Sequence, residues 1–250
     1  MDRLRYSMLI LSGAILTLGV LTGFLLSMKV LDDDPNYFLL KIELVVAILI
    51  FLIQVGYYLK AKNSLSHYLD YLGCLTLSMC WWMVSGTFPM IMLETVPLTE
   101  KIVAGLFFCW WVTFNIKLAF ATFEERWQEV GKQEFERQTK SKRNAVDWEK
   151  ITHTMNIQIE MLRPGLSEQA TTVTSLVMFG LFMAGCLLID FYPIPGMTLL
   201  TPPFLVCAVF FLQASAYRFA QARKVRQIER ELGCALQSVS LPRRKRSKKR

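Results

Sequence analysis

Apolar residues fall into six blocks of about twenty along this chain, at about 7–28, 37–59, 69–93, 101–123, 171–190 and 202–220, with polar segments between them. A hydrocarbon core of about 30 Å is crossed by about 20 helical residues, and lipid offers no partner to a bare backbone, so each block is predicted to be a spanning helix. The predicted fold class is all-α: a polytopic membrane protein with six transmembrane helices and a small cytoplasmic helical domain. Helix starts are expected at Asp34-Pro35, Thr99 with Glu100, Ser167 and Thr201-Pro202, where a cap, an acid or a first-turn proline meets free N–H groups. Pro89 is expected to kink or end the third span.

A second periodicity lies outside the spans. Phe123, Trp127 and Val130 recur at helical spacing, and so do Trp148, Ile151, Met155, Ile159 and Leu162 ahead of Pro164-Gly165. With Asn144 and Asp147 as capped start, residues 124–163 are predicted to be a helical hairpin turning near Lys140–Asn144. Val225, Ile228, Leu232, Ala235 and Val239 form a third stripe, fit for a three-helix bundle or for contact with another subunit. The chain thus divides into a four-span region (1–123), a cytoplasmic hairpin (124–166), a two-span region (167–220), and an amphipathic helix with a basic tail (221–250).

Charge then orients the spans. Of 28 lysines and arginines, only Lys29 and Lys101 lie in or at the edge of the loops on one side of the alternation, Lys41 and Lys117 lie within spans, and the rest lie on the other side or, as Arg218 does, at its edge. Positive-inside places that basic side, with both termini, in the cytoplasm. The short loops and the absence of an N-x-S/T sequon fit a bacterial cytoplasmic (inner) membrane. The first span follows a short charged start and is too long for a signal h-region, so it is expected to remain uncleaved. Six cysteines include no C-x-x-C pair and five lie in spans, which argues against a disulfide framework.

Candidate chemistry is sparse. Glu43, Lys41, Gln54 and Lys117 are polar residues within spans and form the candidate pore or polar membrane site, with Glu43 expected to pair with Lys41 or to face a wet cavity with Gln54. Lys41, Lys117 and Asp70 lie near span ends, where they reach the interface. Trp81-Trp82 and Trp110-Trp111 each follow a cysteine near mid-span, away from the usual aromatic belts, and at similar depth they would line a hydrophobic pocket or interlock at a helix contact. Gly19 with Gly23, and Gly180 with Ala184, have the small-x-x-x-small spacing of close helix packing, within one chain or in a homo-oligomer. Arg243, Arg244, Lys245, Arg246, Lys248, Lys249 and Arg250 make a basic tail for anionic lipid or an acidic partner. Nucleic acid would be reached only through this tail, which lacks interleaved aromatics.

Only two histidines occur, His67 and His153, and neither lies in a span, which excludes paired axial haem ligation and an intramembrane histidine metal centre. No Walker loop, G-x-S-x-G, H-E-x-x-H or potassium-filter motif occurs. The expectation is therefore a non-enzymatic integral membrane subunit of a transport, secretion or DNA-transfer type complex, with no cofactor, docking membrane or cytoplasmic proteins through its cytoplasmic helices. A self-contained ion channel or small transporter lined by Glu43, Gln54 and Lys117 is the alternative. An interfacial lipid enzyme using His67, Asp70 or His153 is the third.

Overall fold

The computed structural model describes residues 2–30, 37–61, 64–93, 96–139, 145–159 and 167–238. It is helical almost throughout: α1 (Asp2–Val30), α2 (Tyr37–Lys60), α3 (Leu65–Ser85), α4 (Phe88–Met92), α5 (Leu98–Arg126), α6 (Lys132–Thr139), α7 (Trp148–Met155), α8 (Glu168–Leu188) and α9 (Pro193–Leu232). A π-helical turn at Trp127–Gly131 joins α5 to α6. Two-residue strands, β1 (Ala145–Val146) and β2 (Gln237–Ser238), pair in parallel. Five helical segments among the described residues are long and apolar enough to cross a membrane: Tyr6–Val30, Lys41–Lys60, Leu98–Thr139, Glu168–Leu188 and Pro193–Leu232.

The expected third span is not among these five, for a physical reason visible in the packing. α3 is the hub of the bundle, with α1 and α2 against it on one side and α9 on another. A helix surrounded by protein needs small and polar residues that let neighbours approach, where a lipid-facing helix needs continuous apolar surface. Accordingly Gly73 seats the ring of Phe219, its carbonyl accepts from Ser215 Oγ at 2.8 Å, and Gly86 seats the ring of Phe204. Ser66, Asp70, Ser78 and Ser85 are all buried on this helix. α3 stops at Ser85, Thr87 Oγ1 donates to the Val84 carbonyl at 2.7 Å, and Pro89 sits in the first turn of α4, so the proline comes after the break it was expected to cause.

The last span also differs from its expected form. Thr201-Pro202 is not its start: the helix begins at Pro193 and runs through both Pro202 and Pro203. Two ladder bonds are lost there, but Met197 and Leu200 before the prolines, Pro203 itself, and Val206 and Val209 after them are buried, so packing holds both sides of the interruption. Pro193 supplies the preset φ of a first helical turn. The 190–201 loop thereby shrinks to a corner in which the Tyr192 N–H donates to the Leu188 carbonyl and the Gly196 N–H to the Tyr192 carbonyl. At Gly196 an added Cβ would lie 2.6 Å from the Ile189 Cα and 2.7 Å from its N. Those are backbone atoms, and rotamer change cannot relieve them. Gly196→Ala is expected to cost about 1–3 kcal/mol by overpacking, read as a lowered midpoint of thermal unfolding in detergent; an unchanged midpoint would refute this packing.

The remaining start signals divide. Ser167 caps α8 as expected, its Oγ accepting from the Ala170 N–H at 3.2 Å. α5 starts at Leu98 after Pro97, just ahead of the expected Thr99. Asp34-Pro35 lies outside the described residues.

Forty residues of α9 at 1.5 Å each make about 60 Å, about twice a hydrocarbon core. The third stripe is therefore no separate helix but the end of α9, where Val225 and Ile228 are buried, Leu232 is half-buried and Ala235, past the helix end at Gly233, is exposed. The described residues of 124–163 form two helical arms of unequal length, and the expected turn near Lys140–Asn144 lies outside them. α5, the π turn and α6 form the long arm, whereas α7 ends at Asn156, whose φ of 46° is left-handed. Its Asp147 cap holds, accepting from the Lys150 N–H at 3.1 Å, and Trp148, Ile151 and Met155 face the core. Ile159 lies beyond the helix and is exposed, and Leu162 is outside the described residues.

Candidate functional site

Two constructions stand out, one at an end of the bundle and one inside it. At the end, a single core joins Leu65 and Leu69 of α3, Phe123 of α5, Trp127 of the π turn, Trp148, Ile151 and Met155 of α7, and Tyr217, Val225 and Ile228 of α9. Trp127 and Trp148 stack at its centre with ring centroids 5.7 Å apart, and Trp148 Nε1 donates to Gln221 Oε1 at 3.2 Å. Gly131 in the π turn admits α7 closely, since a Cβ there would lie 2.7 Å from Met155 Sδ. An extra residue in the turn rotates the helix beyond it, and here it brings Gly131 under Met155 while Trp127 stays in the core.

Ionic contacts fasten this module to the bundle. Arg226 donates to Asp70 Oδ2 at 2.7 Å. Glu229 accepts from Ser66 Oγ at 2.9 Å and from the Leu236 N–H at 3.0 Å, and the Leu65 N–H donates to the Leu236 carbonyl at 3.0 Å. Lys224 bonds Glu124 at 2.8 Å and lies 5.7 Å from the Trp127 ring centre, a cation–π distance. The chain after α9 thus folds back onto the start of α3, and β2 pairs with β1. Between α6 and α9 a cavity of about 300 Å³ has Trp127, Phe135 and Ile228 in its wall and Lys132, Glu136 and Glu231 among its polar lining.

Inside the bundle, α1, α2 and α3 enclose a seam of polar groups. Glu43, Ala47 and Gln54 share one buried face of α2, as residues separated by one turn and three turns must. Ser12 of α1 donates to Gln54 Oε1 and lies 2.8 Å from Ser78 Oγ of α3, whose one proton is shared between Ser12 and the Cys74 carbonyl at 3.0 Å. Glu43 is only 2% exposed and sits over Gly23, where a Cβ would come within 2.6 Å of both carboxyl oxygens. Glu43 Oε2, Gln54 Nε2 and Ser85 Oγ have no hydrogen-bond partner among the described residues. Such groups in a low-dielectric interior cost free energy unless something outside the chain satisfies them.

The sequence-derived candidates separate into those this geometry gathers and those it scatters. Glu43 and Gln54 share the seam. Lys41 is exposed and does not enter it, and Lys117 is exposed on α5, a helix that packs on α9 and has little contact with α3. The path expected from Glu43 and Gln54 to Lys117 is therefore not formed, because α5 lies on the far side of α9. The same arrangement separates the tryptophan pairs. Trp82 Nε1 donates to Thr22 Oγ1 at 3.2 Å on α1, and Trp81 meets Phe88 edge-on. Trp110, 61% exposed, lies along the outer face of α5 with Phe107 and Phe114; Trp111 is half-buried beside Phe107. The four indoles share no pocket.

Gly19 and Gly23 do mediate close packing within the chain, Gly19 over the Trp82 backbone and Gly23 over Glu43. Gly180 faces open space, with Ala184 half-buried, and the close approach on α8 belongs to Gly185, against Leu200 and the Gly196 carbonyl. Asp70 is occupied by Arg226, and His153 is exposed on α7. The basic tail from Arg243 to Arg250 lies outside the described residues. Sequence reading missed Ser12, Ser78 and Ser85, since serine in a span is unremarkable until a partner is across from it. The signal was the i, i+7 spacing of Ser78 and Ser85 on one helical face.

Comparison with protein-family models, with curated proteins and with solved structures finds no match.

Proposed function

We propose that this chain is a non-enzymatic integral membrane subunit that docks partner proteins through the tryptophan-centred module at one end of its bundle, with that end and both termini in the cytoplasm. The observation that carries the reading is the continuity of α9, which packs on α3 in the bundle and on Trp148 and Trp127 in the module without a break. A force applied to the module is transmitted along one continuous helix into the spans, which is what a coupling subunit requires. The cavity beside α6 supplies a surface with an aromatic and aliphatic floor and a charged rim, the composition of a groove for a partner's amphipathic segment. On this reading α3 is a sixth span, hidden from lipid by its neighbours. The basic excess at the module end supports the orientation.

The test is gentle detergent extraction of the tagged protein from its native membrane, with sizing and mass spectrometry of what co-purifies. A defined set of proteins is expected, lost in a Leu232→Asp, Glu136→Lys variant that still elutes as the folded chain. Purification as this chain alone, or a set unchanged by the variant, would refute docking through this groove.

A further inference from the structure

We propose that Glu43 forms a proton-binding site in the seam between α1, α2 and α3, gaining and losing a proton while the bundle stays folded, and that this site is a dead end and not a conduit. The site is independent of partner docking and survives its failure.

The carboxyl is tightly enclosed. Gly23 of α1 leaves the space it occupies, and Oε2 has no partner among the described residues. Nor is any cation among those residues within reach on the elements packed around it. On α1, residues 6–28 carry no charged side chain, and Lys29 at the helix end is bonded to Asp190. On α2, Lys41 is exposed. On α3 the stretch 71–85 is uncharged, and Asp70 before it is paired with Arg226. α4 and residues 193–217 of α9 carry no charge. An isolated carboxylate among apolar helices is too costly to persist, so the closed seam holds the acid form, whose hydroxyl is a donor.

Position makes the protonation reversible. Glu43 lies six residues into α2, about 9 Å along the axis from the helix start at Tyr37. Water reaching that end of the helix is the proton's source and sink. The onward route is closed. Gln54 and its serine partners lie eleven residues further, about 16 Å along α2; in the interval Ile15, Leu16 and Ala47 are buried, and Ser85 Oγ stands beside Gly19 without a partner among the described residues. The three apolar side chains offer no hydrogen-bonding atom, and one hydroxyl does not bridge about 16 Å. The seam therefore stores a proton from one side.

The experiment uses the full chain in liposomes with dicyclohexylcarbodiimide, an apolar reagent that partitions into bilayers and consumes protonated carboxyls. The acid O–H adds across one C=N bond, its proton going to nitrogen and its oxygen to carbon, and acyl migration from O to N leaves a stable N-acylurea. Peptide mass spectrometry is expected to find this adduct on Glu43, many-fold more at acid than at alkaline pH, and not on Asp70. No adduct on Glu43 at any pH, or equal yield at every pH, would overturn reversible protonation. In the same liposomes, a trapped pH dye is expected to report no proton flux above that of empty vesicles. Flux that Glu43→Gln abolishes would overturn the dead end.

Discussion

Trp148→Ala is expected to be the most damaging single truncation in the module, costing about 3–5 kcal/mol, because it leaves a cavity where a large ring was fully enclosed. Trp148 is 3% exposed, stacks on Trp127 and donates its indole N–H to Gln221. The substitution removes the ring, the stacking and the hydrogen bond together, and leaves Ile151 and Met155 as the buried apolar anchors of α7. Limited proteolysis of the detergent-solubilised variant should cut within 145–159 at protease levels that spare the parent chain, while the spans stay intact. Trp148→Phe, which keeps an aromatic ring, should recover much of the loss. A Trp148→Ala protein as protease-resistant as the parent would show that α7 is not held by this core.

Arg226→Ala is expected to cost about 2–3 kcal/mol, below the ~3–5 kcal/mol of a fully buried ion pair, since the guanidinium is partly solvated while the carboxylate is not. The side chain of Asp70 is 2% exposed and that of Arg226 is 40% exposed, so the loss falls on an acid left alone against α9. The discriminating variant is the double one. Asp70→Asn in the Arg226→Ala background removes the stranded charge and should regain stability, so the two changes are strongly non-additive in a double-mutant cycle. Thermal unfolding of the four proteins in one detergent measures this coupling. Additive losses would mean that the pair does not fasten α9 to α3.

Both substitutions act on residues whose partners are distant in sequence, which is where reading the chain alone gives out. Asp70 looks in sequence like a span-end acid free to reach the interface, and its partner lies 156 positions away. Glu43 and Gln54 are legible as a pair, because eleven residues is three helical turns and returns to the same face. Their enclosure is not legible, because Gly23, Ser12 and Ser78 come from two other helices. The tryptophan pairs look in sequence as if they face one another on antiparallel spans, and the insertion of α9 beside α3 puts them apart. Local chemistry fares better where it acts within one turn, as at the caps Ser167 and Asp147 and the stripe Trp148, Ile151 and Met155.

The sequence by itself determined that the chain is helical, that it carries helices long and apolar enough to cross a membrane, and where a tryptophan-bearing helical pattern continues outside them. Those properties follow from period and composition, which each segment carries alone. Only the tertiary structure decided that α3 is the protein-enclosed hub, that α9 passes unbroken through two prolines from bundle to module, and that Glu43 is sealed against Gly23 while Lys41 and Lys117 stay outside. The reason is that hydropathy measures how well a helix tolerates lipid. It does not record which face meets another helix, and in a bundle that choice is made by the fit of small residues against large ones across helices far apart in the chain.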